Sequence, residues 1–359
     1  MHFKRRNICG RKLLIHEFSL LTNHISKIFY YCFLRAFRAR ISLSLLPVIA
    51  SGCSSTVSPS ADMLPVVISS MSSQHINSGT GTEGGTLDIL VFEDDRLRRL
   101  DTYQRIEQWS GENVYAASTG GDKLLFLCCN PQGDRYDWAK IGSYASLDKK
   151  YCNLEDEIRG RLVMTGEGRS KAGEDTLQAE VTALASEVHL KSLRCDFSGT
   201  PYSGKKITEA KAYLTYVNAS CNVFGNSSGG VTRLINPGLL NMSDVKLFKD
   251  SSMIVQELAG EIDGKAKGCS ESFLCYPYKG GTSISTRLVI EGKIDGKTYY
   301  WPMEVCPDGG ISRNCRYSFS VNIKRKGSTD PDCLVALADA DINLEIKRWT
   351  EKEEYKVGF

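Results

Sequence analysis

The sequence predicts an all-β chain built from β-sandwiches. Three observations carry this. Short runs alternate apolar and polar residues with period two, as half-buried strands do. Turn residues separate the runs at close intervals: Gly199-Thr200-Pro201, Lys293-Ile294-Asp295-Gly296 and Gly327-Ser328-Thr329-Asp330-Pro331. Helical periodicity is scarce, and many short strands at such spacing favour packed sheets.

Taken in order, the chain opens on a leader. Phe33–Ser55 reads FLRAFRARISLSLLPVIASGCSS. Arg35, Arg38 and Arg40 make a positive n-region, Ile41–Ala50 an apolar h-region, and Ala50-Ser51-Gly52 a small-residue segment before Cys53. That is the layout of a signal peptide. A cysteine directly after small residues resembles a bacterial lipobox, which makes Cys53 the expected lipidated N-terminus and residues 1–52 a leader. The competing readings are a membrane span and an accidental pattern in a cytosolic chain. The apolar run falls short of the roughly 20 residues a span requires.

Residues 53–85 are rich in Ser, Gly and Thr and read as a tether. Within them Met63–Ser70 (MLPVVISS) is a candidate first strand, which Pro65 restricts to a sheet edge. Gly79–Gly84 matches GxGxxG, but a strand follows where a dinucleotide site needs a helix, so it reads as linker.

From Thr86 the alternation dominates. Thr86–Phe92 puts Leu87, Ile89 and Val91 on one face. Lys123–Cys129 is a wholly apolar run after its lysine, ended by Asn130-Pro131. Glu187–Leu193, Ala210–Val217, Thr286–Gly292, Thr298–Val305 and Tyr317–Arg325 follow. Asp295-Gly296 between two of these runs signals a hairpin. In Asp341–Lys347, Ile342, Leu344 and Ile346 face inward while Asn343, Glu345 and Lys347 face out. Tyr144–Glu157 is the best helical candidate, with Ser146 as N-cap. The polar, Gly-rich Gly166–Asp175 suits a boundary, giving an N-terminal sandwich at 86–172 and a C-terminal one at 173–359.

The formal charge of +3 is uneven. Residues 1–52 hold nine Lys or Arg against Glu17, a net of +8, which leaves −5 for the remainder. A mildly acidic body offers no electrostatic footprint for nucleic acid. Of thirteen cysteines, ten lie beyond the leader and none forms a CxxC pair, which disfavours a zinc ribbon or thioredoxin-type site. Cys269 with Cys275, and Cys306 with Cys315, are near enough in sequence to pair in an oxidising compartment. Small buried hydrophobes on strands are the alternative.

A search for converging chemical groups yields little. His75 lies in the tether and His189 on the outer face of a strand. No GxSxG elbow, P-loop or HExxH occurs. Asp339 and Asp341 could hold calcium, though a solvated strand edge explains them better. Trp301 and Trp349 read as core or interface anchors rather than ligand platforms. The sequence therefore predicts no catalytic residue, no metal site and no cofactor.

Several segments resemble the fimbrillin superfamily, the subunits of type V pili. They are Thr86–Phe92 with Leu124–Pro131, Leu162–Glu167 (LVMTGE), Val181–Gly199 and Ile207–Ser220. The most specific are Lys297–Val305 (KTYYWPMEV) and Ile311–Asp332, with their Tyr-Tyr-x-Pro and Arg-Asn-x-x-Tyr patterns. Leu344–Thr350, with Trp349 before an acidic tail, is similar to the family's close. The resemblance covers Thr86 to Phe359 by the order and spacing of these motifs.

The resemblance implies two transthyretin-like, Greek-key β-sandwiches in tandem and export as a lipoprotein to the outer membrane and cell surface. It also implies assembly with other pilus subunits by strand exchange, a form of β-augmentation. The strand-exchange residues it nominates are Met63, Leu64, Val66, Val67 and Ile68, with Ile342, Leu344, Ile346 and Trp349. In stalk subunits of the family an arginine-specific protease removes the first strand. This sequence departs from that pattern, because no Lys or Arg occurs between Cys53 and Asp95. The expectation is therefore a retained first strand, as in an anchor or assembly-limiting subunit. A monomeric surface lipoprotein that binds a glycan or host protein through its loops is the alternative on the same scaffold.

Overall fold

The computed structural model describes residues 62–70, 85–110, 112–132, 136–174, 176–225, 233–279, 285–306, 310–336, 339–348 and 355–357. All of them belong to one compact unit, Pro59–Phe359. They are almost entirely β. No described helix is long and apolar enough to cross a membrane.

Seven strands form the first sheet: β1 (Asp62–Ser70), β2 (Gly85–Glu93), β3 (Leu100–Trp109), β4 (Val114–Ser118), β5 (Lys123–Cys129), β7 (Met164–Ser170) and β8 (Leu177–Ala183). A short β6 (Tyr151–Asn153) lies in the crossover between β5 and β7. The spatial order is β3-β2-β5-β7-β8-β1-β4. β5 is buried at every position, including its lysine, and Leu87 and Ile89–Phe92 of β2 are fully buried. Gly166 and Gly168 of β7 approach β8 so closely that an added Cβ would stand 2.2 Å from the Glu180 carbonyl oxygen and 2.1 Å from that of Gln178.

The remaining strands are β9 (Ser186–Cys195), β10 (Thr208–Thr215), β11 (Val217–Asn218), β12 (Ser220–Asn222), β13 (Leu234–Ile235), β14 (Val255–Glu257), β15 (Lys267–Gly268) and β16 (Ser272–Cys275). They continue through β17 (Tyr278–Lys279), β18 (Arg287–Ile294), β19 (Lys297–Glu304), β20 (Gly310–Ile311), β21 (Cys315–Ile323), β22 (Ala340–Arg348) and β23 (Tyr355–Val357). A four-stranded sheet runs β14-β10-β18-β19, and a larger one runs β15-β9-β21-β22-β23, with β16 also on β9. Small two-stranded ladders join β11 to β13, β12 to β6, and β17 to β20. The buried residues of all these sheets form one continuous core.

Asp295-Gly296 makes the tight hairpin between β18 and β19, with Ile294 opposite Lys297. Both loop residues have positive φ, 51° and 79°, the geometry that suits Asp-Gly to a type I′ turn.

Four expectations need correction. Tyr144–Glu157 is not an α-helix. It holds two 3₁₀ turns, Tyr144–Lys149 and Leu154–Asp156, with β6 between them. Its buried Leu147, Cys152 and Leu154 cover the sheet without one continuous helical stripe. Pro65 does not confine β1 to an edge, since β1 lies between β8 and β4. Its ladder with β8 begins only at Val66, so Pro65 has β4 alone beside it. Glu345 is buried rather than outward-facing in water, because Lys191 pairs with it at 3.1 Å. Finally, Leu177–Ala183 belongs to the seven-stranded sheet. The chain passes to the other sheets through buried Leu184-Ala185, and Gly166–Ser170 is the end of β7 rather than a boundary between sheets.

Candidate functional site

The feature with functional potential is the position of β1. It pairs parallel with β8, Val66 opposite Leu177 through Ser70 opposite Val181. On its other side it pairs antiparallel with β4, Asp62 opposite Ser118 through Val66 opposite Val114. β1 thus bridges two strands that come later in the chain: its first half pairs with β4, its second half with β8, and only Val66 has a ladder partner on both sides.

The slot that holds it is apolar on its inner face. β8 alternates strictly, with Leu177, Ala179, Val181 and Ala183 buried. Ala116 of β4 is buried opposite Leu64. Val66 is fully buried and its neighbour Val67 only half so, as strand parity demands.

A buried cation fixes the far wall. β4 and β3 are the two sheet edges, and they come together at Asp101. Its carboxylate accepts from the Ser118 hydroxyl at 3.2 Å and from the Thr119 N–H at 3.0 Å. Lys123 of β5 is completely buried beneath them. Its Nζ lies 2.8 Å from Glu93, 3.0 Å from Asp101 and donates to Thr119 Oγ1 at 2.8 Å. Burial alone would raise the Asp101 pKa, but the Thr119 and Lys123 hydrogen bonds outweigh it and hold the carboxyl below its usual range. These contacts are independent of β1, so they hold the end of β4 to β3 and β5.

A second fixture secures the β8 end of the slot. Arg313, half-buried, spends its guanidinium mainly on backbone carbonyls. Nε donates to Ala183 O at 3.1 Å and Nη1 to Phe224 O at 3.3 Å. Nη2 reaches Thr165 O at 3.1 Å, Thr165 Oγ1 at 3.0 Å, and Thr182 O. Asn314 follows with φ 58°, its Oδ1 accepting from the Ala183 N–H at 3.3 Å. The Tyr317 hydroxyl accepts from the Ser312 N–H at 2.9 Å. The Arg-Asn-x-x-Tyr pattern is therefore a junction device between the sheet that holds β1 and the sheet that holds β21. Desolvation lowers the Arg313 pKa, and the guanidinium stays charged because its donors are matched by carbonyl acceptors.

Met63, Leu64, Val66, Val67 and Ile68 all fall in β1. Ile342, Leu344 and Ile346 fall in β22, in a different sheet, between β21 and β23. Leu344 is buried and the two isoleucines half-buried. The two nominated groups thus occupy separate sheets. Cys53 and Trp349 lie outside the described residues, as do His75 and the Gly79–Gly84 segment. Lys123 and Arg313 went unnoticed as site residues in the sequence, where a lysine opening an apolar run was the only clue to the first.

Chemical groups elsewhere are engaged structurally. Trp301 is buried and donates to Arg325 O at 3.1 Å. Asp341 pairs with Lys324, and Asp339 lies 3.9 Å from Arg325. Among the described residues no cluster of His, Cys, Asp and Glu has the form of a metal site.

Comparison with solved structures places this architecture. A fimbrilin from Porphyromonas gingivalis superposes with a TM-score of 0.55 at 16% identity, covering 80% of this chain and 97% of that one. The chain has the fold of a fimbrilin. A protein from Bacteroides eggerthii, provisionally named a cell adhesion protein, gives a TM-score of 0.57 at 14% identity, covering 80% and 96%. One from Parabacteroides distasonis, named in the same way, gives 0.55 at 12%, covering 82% and 96%. No family model and no curated protein matches the sequence. The fimbrilin likeness is therefore one of fold, carried by strand order and packing rather than by conserved side chains.

Proposed function

We propose that this chain is a non-enzymatic structural subunit of a fimbrillin-type pilus, exported as a lipoprotein through Cys53 and held at the outer membrane and cell surface. In this reading the described residues form two transthyretin-like sandwiches. The slot between β8 and β4 is the place where fimbrial subunits exchange strands, and here β1 is the resident. The observation that carries the proposal is an intrachain strand that bridges β8 and β4, two strands whose ends are also tied to the rest of the protein by the Lys123–Asp101 cluster and by Arg313.

The sequence around β1 supports retention. With no Lys or Arg from Cys53 to Asp95, a trypsin-like protease first meets Arg96, in the exposed bend after β2. Cutting there would release β2, a largely buried strand between β3 and β5, together with β1. A retained β1 keeps the slot filled and the lipid attached, which suits a subunit that anchors or ends an assembly. Its contribution to neighbours then comes from donating a strand or an edge, not from accepting one into this slot.

Mass spectrometry of the N-terminus of native protein from membranes tests this. An acylated Cys53 continuous with β1 is the expected result. An N-terminus beyond Ser70 would overturn retention, and an unmodified chain that still begins at Met1 would overturn export.

A further inference from the structure

The cysteine pairs that sequence proximity nominates are not the pair that the sheet topology brings together. Cys152 of β6 and Cys221 of β12 are direct partners in a two-stranded antiparallel ladder. Two positions to one side, Leu154 N–H donates to Ala219 O at 2.9 Å; two positions to the other, Val223 N–H donates to Lys150 O at 3.0 Å. Antiparallel pairs alternate between hydrogen-bonded and non-bonded types, so Cys152 and Cys221 share the hydrogen-bonded type. The Cα atoms of such a pair are about 5.5 Å apart, inside the window of about 4.4–6.8 Å that a disulfide spans. Their side chains leave the ladder on the same face, with Cβ atoms about 4.5–5.5 Å apart. Hydrogen-bonded pairs sit at the wide end of that range and a disulfide holds its Cβ atoms at about 3.5–4.5 Å, so the three-residue ladder must close by about 1 Å to bond them.

Both residues are buried. As thiols they turn to other groups: Cys152 Sγ lies 2.8 Å from the Tyr136 hydroxyl, and Cys221 Sγ donates to Asn222 O at 3.2 Å. Rotation about χ1 redirects each towards the other. Cys128 of β5 is a competitor, being near enough to Cys152 for the two to interact electrostatically. It lies on another strand, opposite Asp88 and Thr165, and is not Cys152's ladder partner.

We infer that Cys152 and Cys221 form a disulfide that fastens the β5–β7 crossover to β12. The inference rests on the proposed export for its oxidising compartment, and on the ladder for its geometry. The oxidant is a disulfide of low molecular weight, such as glutathione disulfide, or an exported dithiol oxidase. One protein thiolate attacks the oxidant's S–S bond, forming a mixed disulfide and releasing one thiol. The second protein thiolate attacks the mixed disulfide, forming Cys152–Cys221 and releasing the other. Two electrons pass to the oxidant, and the two protein protons end on the released thiols. Burial pushes the Cys221 thiol up to about 12, so the exchange belongs to a late folding stage, before the ladder is enclosed.

The linkage would close a loop running from β6 through β7, β8, β9, β10 and β11 to β12. It therefore spans the same junction that Arg313 bridges by hydrogen bonds, and it resists separation of the two regions under axial load.

The test uses the full chain, refolded with reduced and oxidised glutathione and then digested without reduction. The expected result is a peptide pair joining Cys152 to Cys221, two hydrogens lighter than the separate peptides. A midpoint of thermal unfolding about 5 °C above that of the reduced protein accompanies it. Cys152→Ser and Cys221→Ser should each abolish both signals, and Cys269→Ser and Cys333→Ser neither. Both chemical arms read the geometry without any need for export. A linkage from Cys152 to Cys128, or two thiols at Cys152 and Cys221 after oxidative refolding, would overturn the inference.

Discussion

The register of β1 makes a parity prediction. Val66 is fully buried opposite Leu177 on one side and Val114 on the other, while Val67 is half-buried. Val66→Ala removes two buried carbon groups at about 0.8 kcal/mol each and leaves a small cavity, a loss of about 2 kcal/mol. Val67→Ala removes the same atoms from a half-wet position and should cost less than about 1 kcal/mol. If β1 detaches as a unit, 2 kcal/mol raises the detached population about thirtyfold. Denaturant unfolding gives the equilibrium loss, and hydrogen exchange at Leu177–Val181 reads the detached state. Equal effects from the two variants would refute the register. A large effect at Val67 with none at Val66 would show that β1 sits one residue out of place.

Three further outcomes follow from the walls of the slot and the core behind it. Lys123→Met removes the cation between Glu93 and Asp101 and should destabilise by about 3 kcal/mol, since a buried carboxylate loses its partner; a change under about 1 kcal/mol in urea unfolding would show the cluster to be idle. Arg313→Lys should fail to restore the stability lost in Arg313→Leu, because a point ammonium cannot serve carbonyls of Ala183, Phe224, Thr165 and Thr182 together; full rescue by lysine in thermal unfolding would contradict the fork geometry. Glu157 is buried, and desolvation raises its pKa from 4.5 to about 7 against the hydrogen bonds from Tyr276 and Val163. The folded state then binds the extra proton between those values, so stability is full below about 4.5 and falls as pH rises towards 7, by up to about 3 kcal/mol. Glu157→Gln should flatten that slope, and a wild-type slope of the opposite sign would exclude the assignment.

Much of this was readable before any coordinates. β2 and β22 announced themselves because their apolar residues recur at the strand period, β5 as an unbroken apolar run after its lysine, and Asp295-Gly296 named its own hairpin. β3 was not legible. As an edge strand it keeps polar residues on both faces, and LDTYQRIEQW lacks a sustained alternation. Tyr144–Glu157 suggested a helix with Ser146 as N-cap, yet extended backbone at Lys150 and Asn153 breaks the run. The interior position of β1 was hidden by Pro65, whose effect depends on where the neighbouring ladder ends. Arg313 was visible only as part of a motif. Its task needed the third dimension, since its acceptors lie some 90 to 150 residues away in sequence.

The central claim is that β1 is a separable strand lodged between walls that stand without it. An arginine introduced between residues 71 and 84 of the full chain permits a cut behind β1, and hydrogen exchange then reports on Leu177–Val181 and Val114–Ser118. Protection should be high in the uncut chain, fall once β1 leaves, and return on adding a peptide of sequence Asp62–Ser70, while β18 and β19 stay protected throughout. Protection of those flanking amides that is unchanged by removal of β1, or collapse of the whole unit with it, would contradict the account.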